Sequence, residues 1–165
     1  MDKGRIQVIC GGGIGKTAMA LGKAVTEVTS GHKVIMIQFL KGMLSAETAE
    51  GLKQLEPDLK VFRFEKQHNL FENLTEEQKK EELFNIRNGL NFARKVLTTG
   101  ECDMLVLDEF LGILDQQILG EGEFKNLLAL REENVDLVLT GKVCPSYLEE
   151  YADLVVRIEN VKVDK

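Results

Sequence analysis

A glycine-rich loop between a short apolar run and a helical pattern constrains the fold of this chain most strongly. The run RIQVIC, Arg5–Cys10, contains β-branched residues at spacings typical of a strand. The loop GGGIGKT follows it directly, and apolar residues then recur at helical spacing. The predicted apolar face of this helix consists of Ala18, Leu21, Val25 and Val28. A strand, a glycine loop and a helix in this order favour a phosphate-binding α/β unit.

The loop matches the phosphate-binding pattern G-x-x-x-x-G-K-[ST] at its end but not at its start. Counted back from Gly15, the first glycine of that pattern falls on Cys10. Loop glycines let backbone N–H groups approach an anion closely, and a helix N-terminus favours negative charge. We predict that Lys16 neutralises phosphate oxygens and that Thr17 helps to hold Mg²⁺. The alternative is a glycine-rich strand-to-helix turn that contains a chance Gly-Lys-Thr.

Five further apolar runs along the chain are predicted as strands, so the total with RIQVIC is six. They are KVIMIQF, KVFRFE, MLVLDEF, DLVLTG and DLVVRIE. Most are apolar on both faces, which is typical of strands in a parallel sheet that helices cover on both sides. The run KVFRFE instead alternates, like a strand with one polar face. Because helical patterns separate these runs, we predict an α/β fold with a mainly parallel six-stranded sheet, formed by one domain over residues 1–165.

The most clearly marked helix lies between the third and fourth predicted strands. Thr75 and Gln78 have the spacing of a capping box at its start, and the helix is predicted to run to residue 99. Its apolar stripe consists of Leu83, Ile86, Leu90, Ala93 and Leu97. Shorter helices are expected over residues 46–55 and 123–133, and Pro145 can open another. A glycine-containing turn is expected after MLVLDEF.

Two carboxylates, Asp108 and Glu109, lie near the end of the run MLVLDEF. A buried strand that ends in carboxylates is what a P-loop protein uses to reach Mg²⁺ or its bound waters. Successive strand residues point to opposite sides, so one of the two carboxylates is expected to face the metal. The alternative is that the pair is only the charged end of a strand as it leaves the sheet.

Other candidates for ligand contact follow the carboxyl ends of predicted strands, where open α/β sheets bind their ligands. Lys142 follows DLVLTG, and Lys41 follows KVIMIQF. Each of these lysines could reach a phosphate or be a solvated turn residue. Phe62 and Phe64 share one face of KVFRFE and belong either to the core or to a platform for a ligand.

Charge, hydropathy and cysteine spacing limit the functions open to this chain. Lys and Arg number 21 against 27 Asp and Glu, a net charge of −6, so no nucleic-acid partner is expected. No apolar run approaches the roughly 20 residues that span a bilayer, so no membrane association is expected. Cys10, Cys102 and Cys144 lack metal-ligand spacing. They are predicted to be buried free thiols, which favours a cytoplasmic location.

The motifs GGGIGKT, VIMIQFLKG, MLVLDEF, VLTGK and YADLVV, in this order, resemble those of the ATP:corrinoid adenosyltransferases. The loop of that family, G-x-G-K-G-K-T-T-A, also lacks the first glycine of the phosphate-binding pattern. A strand ending V-Q-F-x-K-G follows the family loop, and L-D-E, T-G-R and A-D-L-V come later. The resemblance is collinear from Arg5 to Ile158, and it implies a P-loop fold of the RecA-like, three-layer kind.

The resemblance implies an unusual use of ATP, in which the cobalt(I) of a corrinoid attacks the ribose 5′-carbon and the intact triphosphate leaves. By position, the residues around the triphosphate would be Gly11, Gly12, Gly13, Ile14, Gly15, Lys16, Thr17 and Ala18. Thr17 and Glu109 would hold Mg²⁺ or Mn²⁺, and with Lys16 they are the predicted catalytic residues. Because cobalt(I) is itself a strong nucleophile, no protein base is needed.

The remaining candidates take their roles from the same resemblance. Asp108 and Lys41 lie in matching motifs of the nucleotide site, and Lys142 would take the place of a family arginine. Phe62 and Phe64 fall near the aromatic segment on the corrinoid side. The implied partners are ATP and a corrinoid as substrates, a reductant protein such as a flavodoxin, and a second copy of the chain in a homodimer.

Several departures from the family pattern leave alternatives open. Ile14 stands where the family loop has a lysine, and Ala18 stands where it has a second threonine. The chain has no Trp to match a glycine-aromatic segment of the family, and no stretch after YADLVV matches the family's H-P-F segment. The alternatives are a non-catalytic ATP- or corrinoid-binding paralogue and an ordinary P-loop ATPase or kinase that releases ADP.

Overall fold

The computed structural model describes residues 3–39, 45–64 and 73–164, which form a six-stranded sheet between two layers of helices. The strands are β1 (Ile6–Cys10), β2 (Val34–Gln38), β3 (Leu59–Arg63), β4 (Met104–Asp108), β5 (Asp136–Thr140) and β6 (Leu154–Arg157). They lie in the order β3-β2-β4-β5-β1-β6, and each neighbouring pair is parallel. The predicted α/β fold with a parallel six-stranded sheet is confirmed.

Helices connect these strands on both faces of the sheet. They are α1 (Lys16–Thr29), α2 (Ala46–Leu52), α3 (Glu76–Thr99), α4 (Leu111–Asp115), α5 (Glu121–Ala129) and α6 (Leu148–Tyr151). The predicted capping box of α3 is confirmed. The Thr75 hydroxyl accepts a hydrogen bond from the Gln78 backbone N–H at 3.2 Å, and the Gln78 side chain accepts one from the Thr75 N–H at 3.0 Å.

The apolar runs divide their side chains between two hydrophobic clusters, one on each face of the sheet. In β2, Val34 and Met36 belong to the cluster that contains Ala20 of α1. Ile35 and Ile37 belong to the larger cluster that contains apolar residues of α3, α4, α5 and α6. This alternation confirms that β2 is buried on both faces, as its nearly continuous apolar sequence predicts.

Helix α1 buries only part of its predicted apolar face. Ala18 and Val25 of the predicted face are exposed, whereas Ala20 and Ala24 are fully buried against the sheet. The reason is steric, since small alanine side chains let a helix approach the sheet closely. The predicted face is therefore confirmed for Leu21 and Val28, which pack against the cluster on this side of the sheet, and was wrong for Ala18 and Val25.

Several element boundaries also differ from the predictions. Helix α5 lies at 121–129 rather than 123–133, and the segment 46–55 divides into α2 and a 3₁₀ turn over Lys53–Leu55. Strand β3 ends at Arg63, before the predicted residue 65. The turn expected after β4 contains helix α4, whose residues Leu111, Ile113 and Leu114 are buried. Five residues are too few for the apolar periodicity to distinguish a helix from a turn.

The strand order brings the candidate residues to one edge of the sheet. Parallel strands all end on the same side, so the residues that follow β1, β2, β4 and β5 meet there. Strand β5 lies between β1, which leads into the glycine loop, and β4, which ends at Asp108.

Among the described helices none is long and apolar enough to cross a membrane.

Candidate functional site

The glycine loop presents an uncapped helix N-terminus. Gly15 adopts the left-handed conformation, with φ 115°, and is the N-cap of α1. Within the part of the chain that the structure describes, no side chain caps α1 with a hydrogen bond, and its first turn contains no acidic residue. The Lys16 ammonium donates a hydrogen bond to the Gly13 carbonyl at 2.8 Å, which keeps its charge against the loop. The backbone N–H groups and this cation together form a site suited to an anion.

The segment that follows β6 holds the first half of the loop in place. The Gly13 N–H donates to the Ile158 carbonyl at 2.8 Å, and the Ile14 N–H donates to the Asn160 side-chain oxygen at 3.0 Å. The Ile158 N–H donates back to the Cys10 carbonyl at 2.8 Å. On the other side, the Gly11 N–H donates to the Lys142 carbonyl at 2.9 Å. The loop is therefore bound to the ends of both strands that flank β1.

This close approach, and not only phosphate binding, explains two of the loop glycines. A Cβ on Gly13 would lie 2.7 Å from the Ile158 carbonyl oxygen, and a Cβ on Gly11 would meet the same oxygen. Gly12 and Gly15 have no described atom within 4 Å of such a Cβ. The loop glycines thus divide into a pair that the backbone of the neighbouring segment requires and a pair that faces open space.

Asp108 is the centre of a buried hydrogen-bond cluster beside the loop. The Thr17 hydroxyl lies 3.0 Å and 3.2 Å from its two carboxylate oxygens. The Thr140 hydroxyl donates to one of these oxygens at 2.7 Å, and the Gln38 side-chain NH₂ donates to the other at 3.0 Å. Asp108, Gln38 and Thr140 are all 0% exposed. A buried carboxylate with several donors is held in one orientation.

Glu109, next to Asp108, has a strained backbone. Its φ of 59° lies in the left-handed region, which non-glycine residues adopt rarely and often at functional sites. Its N–H donates to the Thr140 hydroxyl at 2.9 Å, which supports this conformation. Burial raises the pKa of the Glu109 carboxyl above its ordinary value; the Asp108 charge adds to this effect, and Lys16 opposes it. The two carboxylates and the loop lysine therefore interact electrostatically.

The cluster continues to the outer strand β3 through two residues that the sequence interpretation did not single out. The Gln38 side-chain oxygen accepts a hydrogen bond from Nε of Arg63 at 2.8 Å. Arg63 ends β3, Gln38 ends β2 and Asp108 ends β4. A chain of hydrogen bonds thus runs along the sheet edge from Arg63 to Thr17.

The other predicted site residues lie in different environments. Ile14 is 66% exposed, and Ala18 and Lys142 are also exposed, at the loop side of the sheet edge. Phe62 and Phe64 are half-buried and pack against Phe92 of α3, with ring centroids 4.6 Å and 5.9 Å from its ring. These two rings therefore contribute to the core. Lys41 lies outside the described residues.

Sequence reasoning missed Gln38, Thr140, Arg63 and Asn160. For the first three a signal was available, because each is a polar residue at the carboxyl end of a strand that is otherwise largely apolar. Asn160 gives no such signal, since only the folded structure brings it to the loop, which lies 146 positions earlier in the chain.

The oxygen atoms of this site suit a hard divalent cation. The Thr17 hydroxyl and the Asp108 carboxylate are in contact, and both supply oxygen ligands of the type that Mg²⁺ prefers. Within the described residues there is no group of three or more His, Cys, Asp or Glu side chains that could hold a metal ion alone. Mg²⁺ commonly takes one or two protein ligands and completes its coordination with waters and substrate phosphates, so the residues fit this ion.

Comparison with known proteins identifies a family that spans almost the whole chain. The model of the family described as ATP:corrinoid adenosyltransferase BtuR/CobO/CobP matches residues 2–164. The chain is also 28% identical, over 165 residues, to the corrinoid adenosyltransferase of Escherichia coli (strain K12). That alignment covers 98% of this chain and 79% of the relative.

Solved structures support the fold independently. The flagellar accessory protein FlaH from Methanocaldococcus jannaschii has a TM-score of 0.63 at 14% identity, covering 99% of this chain and 75% of FlaH. The KaiC-like protein PH0186 from Pyrococcus horikoshii OT3 has a TM-score of 0.60 at 16% identity, covering 99% of this chain and 77% of that protein. At these identities the likeness concerns the fold alone. The predicted P-loop, RecA-like architecture is confirmed.

Proposed function

The chain belongs to the ATP:corrinoid adenosyltransferase family, and from this premise we propose that it transfers the 5′-deoxyadenosyl group of ATP to the cobalt(I) of a corrinoid. The observation that carries the proposal is that the uncapped N-terminus of α1 lies next to the contact between Thr17 and Asp108. An anion site and a cation site lie side by side, as a magnesium-bound triphosphate requires.

The described residues divide the binding of the triphosphate among them. The N–H groups at the start of α1 donate to phosphate oxygens, and Lys16 exchanges its bond with the Gly13 carbonyl for a phosphate oxygen. Thr17 and Glu109 would hold Mg²⁺, or Mn²⁺ in its place, and Asp108, which contacts Thr17, would contribute the second carboxylate. The metal ion neutralises negative charge on the phosphate oxygens when it is bound.

In the reaction, a cobalt–carbon bond forms at the ribose 5′-carbon of ATP while the bond from that carbon to the triphosphate oxygen breaks. Cobalt supplies the electron pair of the new bond, and the triphosphate leaves with the pair of the broken one. The protein therefore needs to align the two substrates and to stabilise the charge that grows on the leaving triphosphate. Lys16 and the N-terminus of α1 provide this stabilisation without a protein base.

The remaining assignments of the proposal concern the corrinoid and the partners. We assign the half-buried Phe62 and Phe64, at the end of β3, to the corrinoid side of the site, and by its motif we assign Lys41 to a phosphate of ATP. Lys142 serves as a cation on the loop side. The chain acts as one P-loop domain and forms a homodimer in the cytoplasm, and a reductant protein such as a flavodoxin supplies the electron that reduces the cobalt(II) of the corrinoid to cobalt(I). Size-exclusion chromatography with light scattering tests the dimer, and a pull-down with candidate flavodoxins tests the reductant.

An anaerobic assay with ATP, Mg²⁺ and a chemically reduced corrinoid tests the reaction. The proposal predicts triphosphate, separated by ion exchange, and an adenosylcorrinoid, identified by its absorption spectrum. ADP as the product would instead identify an ordinary ATPase or kinase, and ATP binding without either product would identify a non-catalytic binder. The variant Lys16→Ala should lose ATP affinity, and unchanged affinity would contradict the assignment of the loop.

A further inference from the structure

Three neighbouring strands end in polar residues that are joined by hydrogen bonds. In the sheet register Gln38 is paired with Arg63 on one side and with Asp108 on the other. The Arg63 guanidinium donates from Nε to the Gln38 oxygen at 2.8 Å, and the Gln38 NH₂ donates to the Asp108 carboxylate at 3.0 Å. Asp108 in turn accepts the hydroxyl of Thr17 at the start of α1.

The chemistry of the two end groups fixes the orientation of the amide between them. A guanidinium can only donate hydrogen bonds, and an ionised carboxylate can only accept them. Gln38 must therefore turn its oxygen toward Arg63 and its NH₂ toward Asp108. A flipped amide would direct its oxygen at the carboxylate and its NH₂ at the guanidinium, and both contacts would be repulsive.

We propose that Gln38 and Arg63 are positioning residues for the nucleotide site, since Arg63 orients the Gln38 amide and Gln38 orients the Asp108 carboxylate. This inference rests on the proposed function, in which Thr17 and Glu109 hold the Mg²⁺ of Mg-ATP and Asp108 contributes the second carboxylate. With its orientation fixed, Asp108 keeps its oxygens toward Thr17 and the metal site. The two residues therefore act on the affinity for Mg-ATP without contact with the nucleotide.

Burial makes this role sensitive to small changes. Gln38 and Asp108 are both 0% exposed, although Arg63 itself is exposed, so removal of a donor from either leaves a buried polar atom without that partner. Replacement of Arg63 by Met leaves the Gln38 oxygen without its donor, and the amide becomes free to rotate. Replacement of Gln38 by Met, which has a similar length and shape, removes both bonds at once. Both changes weaken the same restraint on the Asp108 carboxylate, which then keeps the hydroxyls of Thr17 and Thr140 as its described partners.

The test measures the dissociation constant of ATP by calorimetry, once with Mg²⁺ and once with a chelator. The variants are Gln38→Met, Arg63→Met and the double variant, and Arg94→Met is the matched control. Arg94 is a half-buried arginine of α3 whose guanidinium bonds the Asn91 side chain, and none of its described hydrogen bonds is to a residue of the site. We expect each single variant to lower the Mg²⁺-dependent gain in ATP affinity about tenfold, the effect of losing one hydrogen bond to a charged group.

The double variant distinguishes positioning from direct contact. If both residues act through Asp108, the double variant loses no more affinity than Gln38→Met alone, because the effects of residues in one chain are not additive. Additive losses would overturn the proposal, since Arg63 would then act on the ligand independently of Gln38. Equal losses with Mg²⁺ and with chelator would also overturn it, as would no loss in either single variant.

Two further measurements keep the test independent of folding and of the reaction. Thermal unfolding without ligand identifies a variant that has lost its fold. If Gln38→Met is such a variant, Arg63→Met and Arg63→Lys carry the test. Lysine can still donate to the Gln38 oxygen, so Arg63→Lys should recover most of the Mg²⁺ dependence, and no recovery would overturn the proposal. Binding of ATP requires no corrinoid, so the result stands whatever product the adenosylation assay yields.

Discussion

Gly13 and Gly12 differ in what surrounds them, and substitution of each by alanine tests the description of the loop. A Cβ on Gly13 would lie 2.7 Å from the Ile158 oxygen, 2.8 Å from the Ile158 carbonyl carbon and 2.9 Å from the Glu159 nitrogen. A Cβ on Gly12 would meet none of the described atoms within 4 Å. Neither glycine has a positive φ, so backbone strain contributes to neither substitution.

The cost of Gly13→Ala follows from this steric overlap. Three backbone atoms must move, and inserting a group into a packed site costs about 1–3 kcal/mol. The movement also weakens the 2.8 Å hydrogen bond from the Gly13 N–H to the Ile158 carbonyl, worth about 1 kcal/mol. We therefore expect the free energy of unfolding to fall by about 2–3 kcal/mol. For a chain of this size that lowers Tm by roughly 4–12 °C.

Thermal unfolding followed by circular dichroism measures this difference in the ligand-free protein. Gly12→Ala is the control and should unfold within about 1 kcal/mol of the wild type, because its backbone conformation and its surroundings accept a methyl group. Equal stability of the two variants would refute the inference that the segment after β6 lies against the loop. If Gly12→Ala keeps its stability but loses ATP affinity, the loss is due to phosphate contact and not to folding.

The remaining predictions concern one exposed, one half-buried and one buried side chain. Ile14→Lys adds a cation to the loop at a position that is 66% exposed, so the fold should be unchanged and ATP affinity should rise about two- to fivefold in isothermal calorimetry. The pKa of Glu109 is raised in the folded protein, so its protonated carboxyl stabilises the fold. This stabilisation is lost as pH rises from 4.5 through the folded-state pKa. Glu109→Gln should therefore have a higher Tm than the wild type at pH 7 in chelator, with the difference shrinking toward pH 4.5. Burial raises the pKa of the Cys102 thiol to about 12, so iodoacetamide at pH 8 should alkylate Cys102 only after unfolding, as peptide mass spectrometry can measure.

Each of these predictions has an outcome that contradicts its reasoning. Weaker ATP binding in Ile14→Lys would mean that residue 14 does not face the phosphates. A Tm for Glu109→Gln below that of the wild type at pH 7 would mean that the ionised carboxylate stabilises the fold. Alkylation of Cys102 in the folded protein, at the rate of a thiol in unfolded chain, would contradict its burial.

The sequence was sufficient for the sheet and for the position of the loop, because both depend on local patterns. Runs that are apolar on both faces indicate buried parallel strands, and a Gly-Lys-Thr after such a strand marks the start of α1. The six strands occur where these patterns lie, with β3 shortened at its end. The failures of the helix predictions are equally local, as with α4, which is too short to show a period.

The partners of the site residues could not be predicted, because they depend on strand order. Asp108 and Glu109 are adjacent in sequence, and the family resemblance implies that Thr17 and Glu109 hold the metal ion, which stays a prediction. The structure brings Asp108 within 3.0 Å of the Thr17 hydroxyl, while the Glu109 N–H bonds Thr140. Only the position of β5 between β1 and β4 brings Thr140 there, and no pattern in the sequence specifies that order.

The structure also explains how Cys10 can stand in place of the first glycine of the phosphate-binding pattern. Cys10 is the last residue of β1 and is buried, so the position belongs to the strand rather than to the loop. Its carbonyl accepts the Ile158 N–H, a bond that any residue could make. The loop proper begins at Gly11, whose φ of 109° requires glycine. A missing first glycine is therefore compatible with the observed turn.

The most direct test of the proposed reaction uses ATP labelled with ¹³C at the ribose 5′-carbon. Under anaerobic conditions with Mg²⁺ and reduced corrinoid, carbon NMR should show the labelled carbon bonded to cobalt, with one triphosphate released for each bond formed. If the labelled carbon instead stays attached to a phosphate oxygen while ADP accumulates, the transfer of the adenosyl group is contradicted.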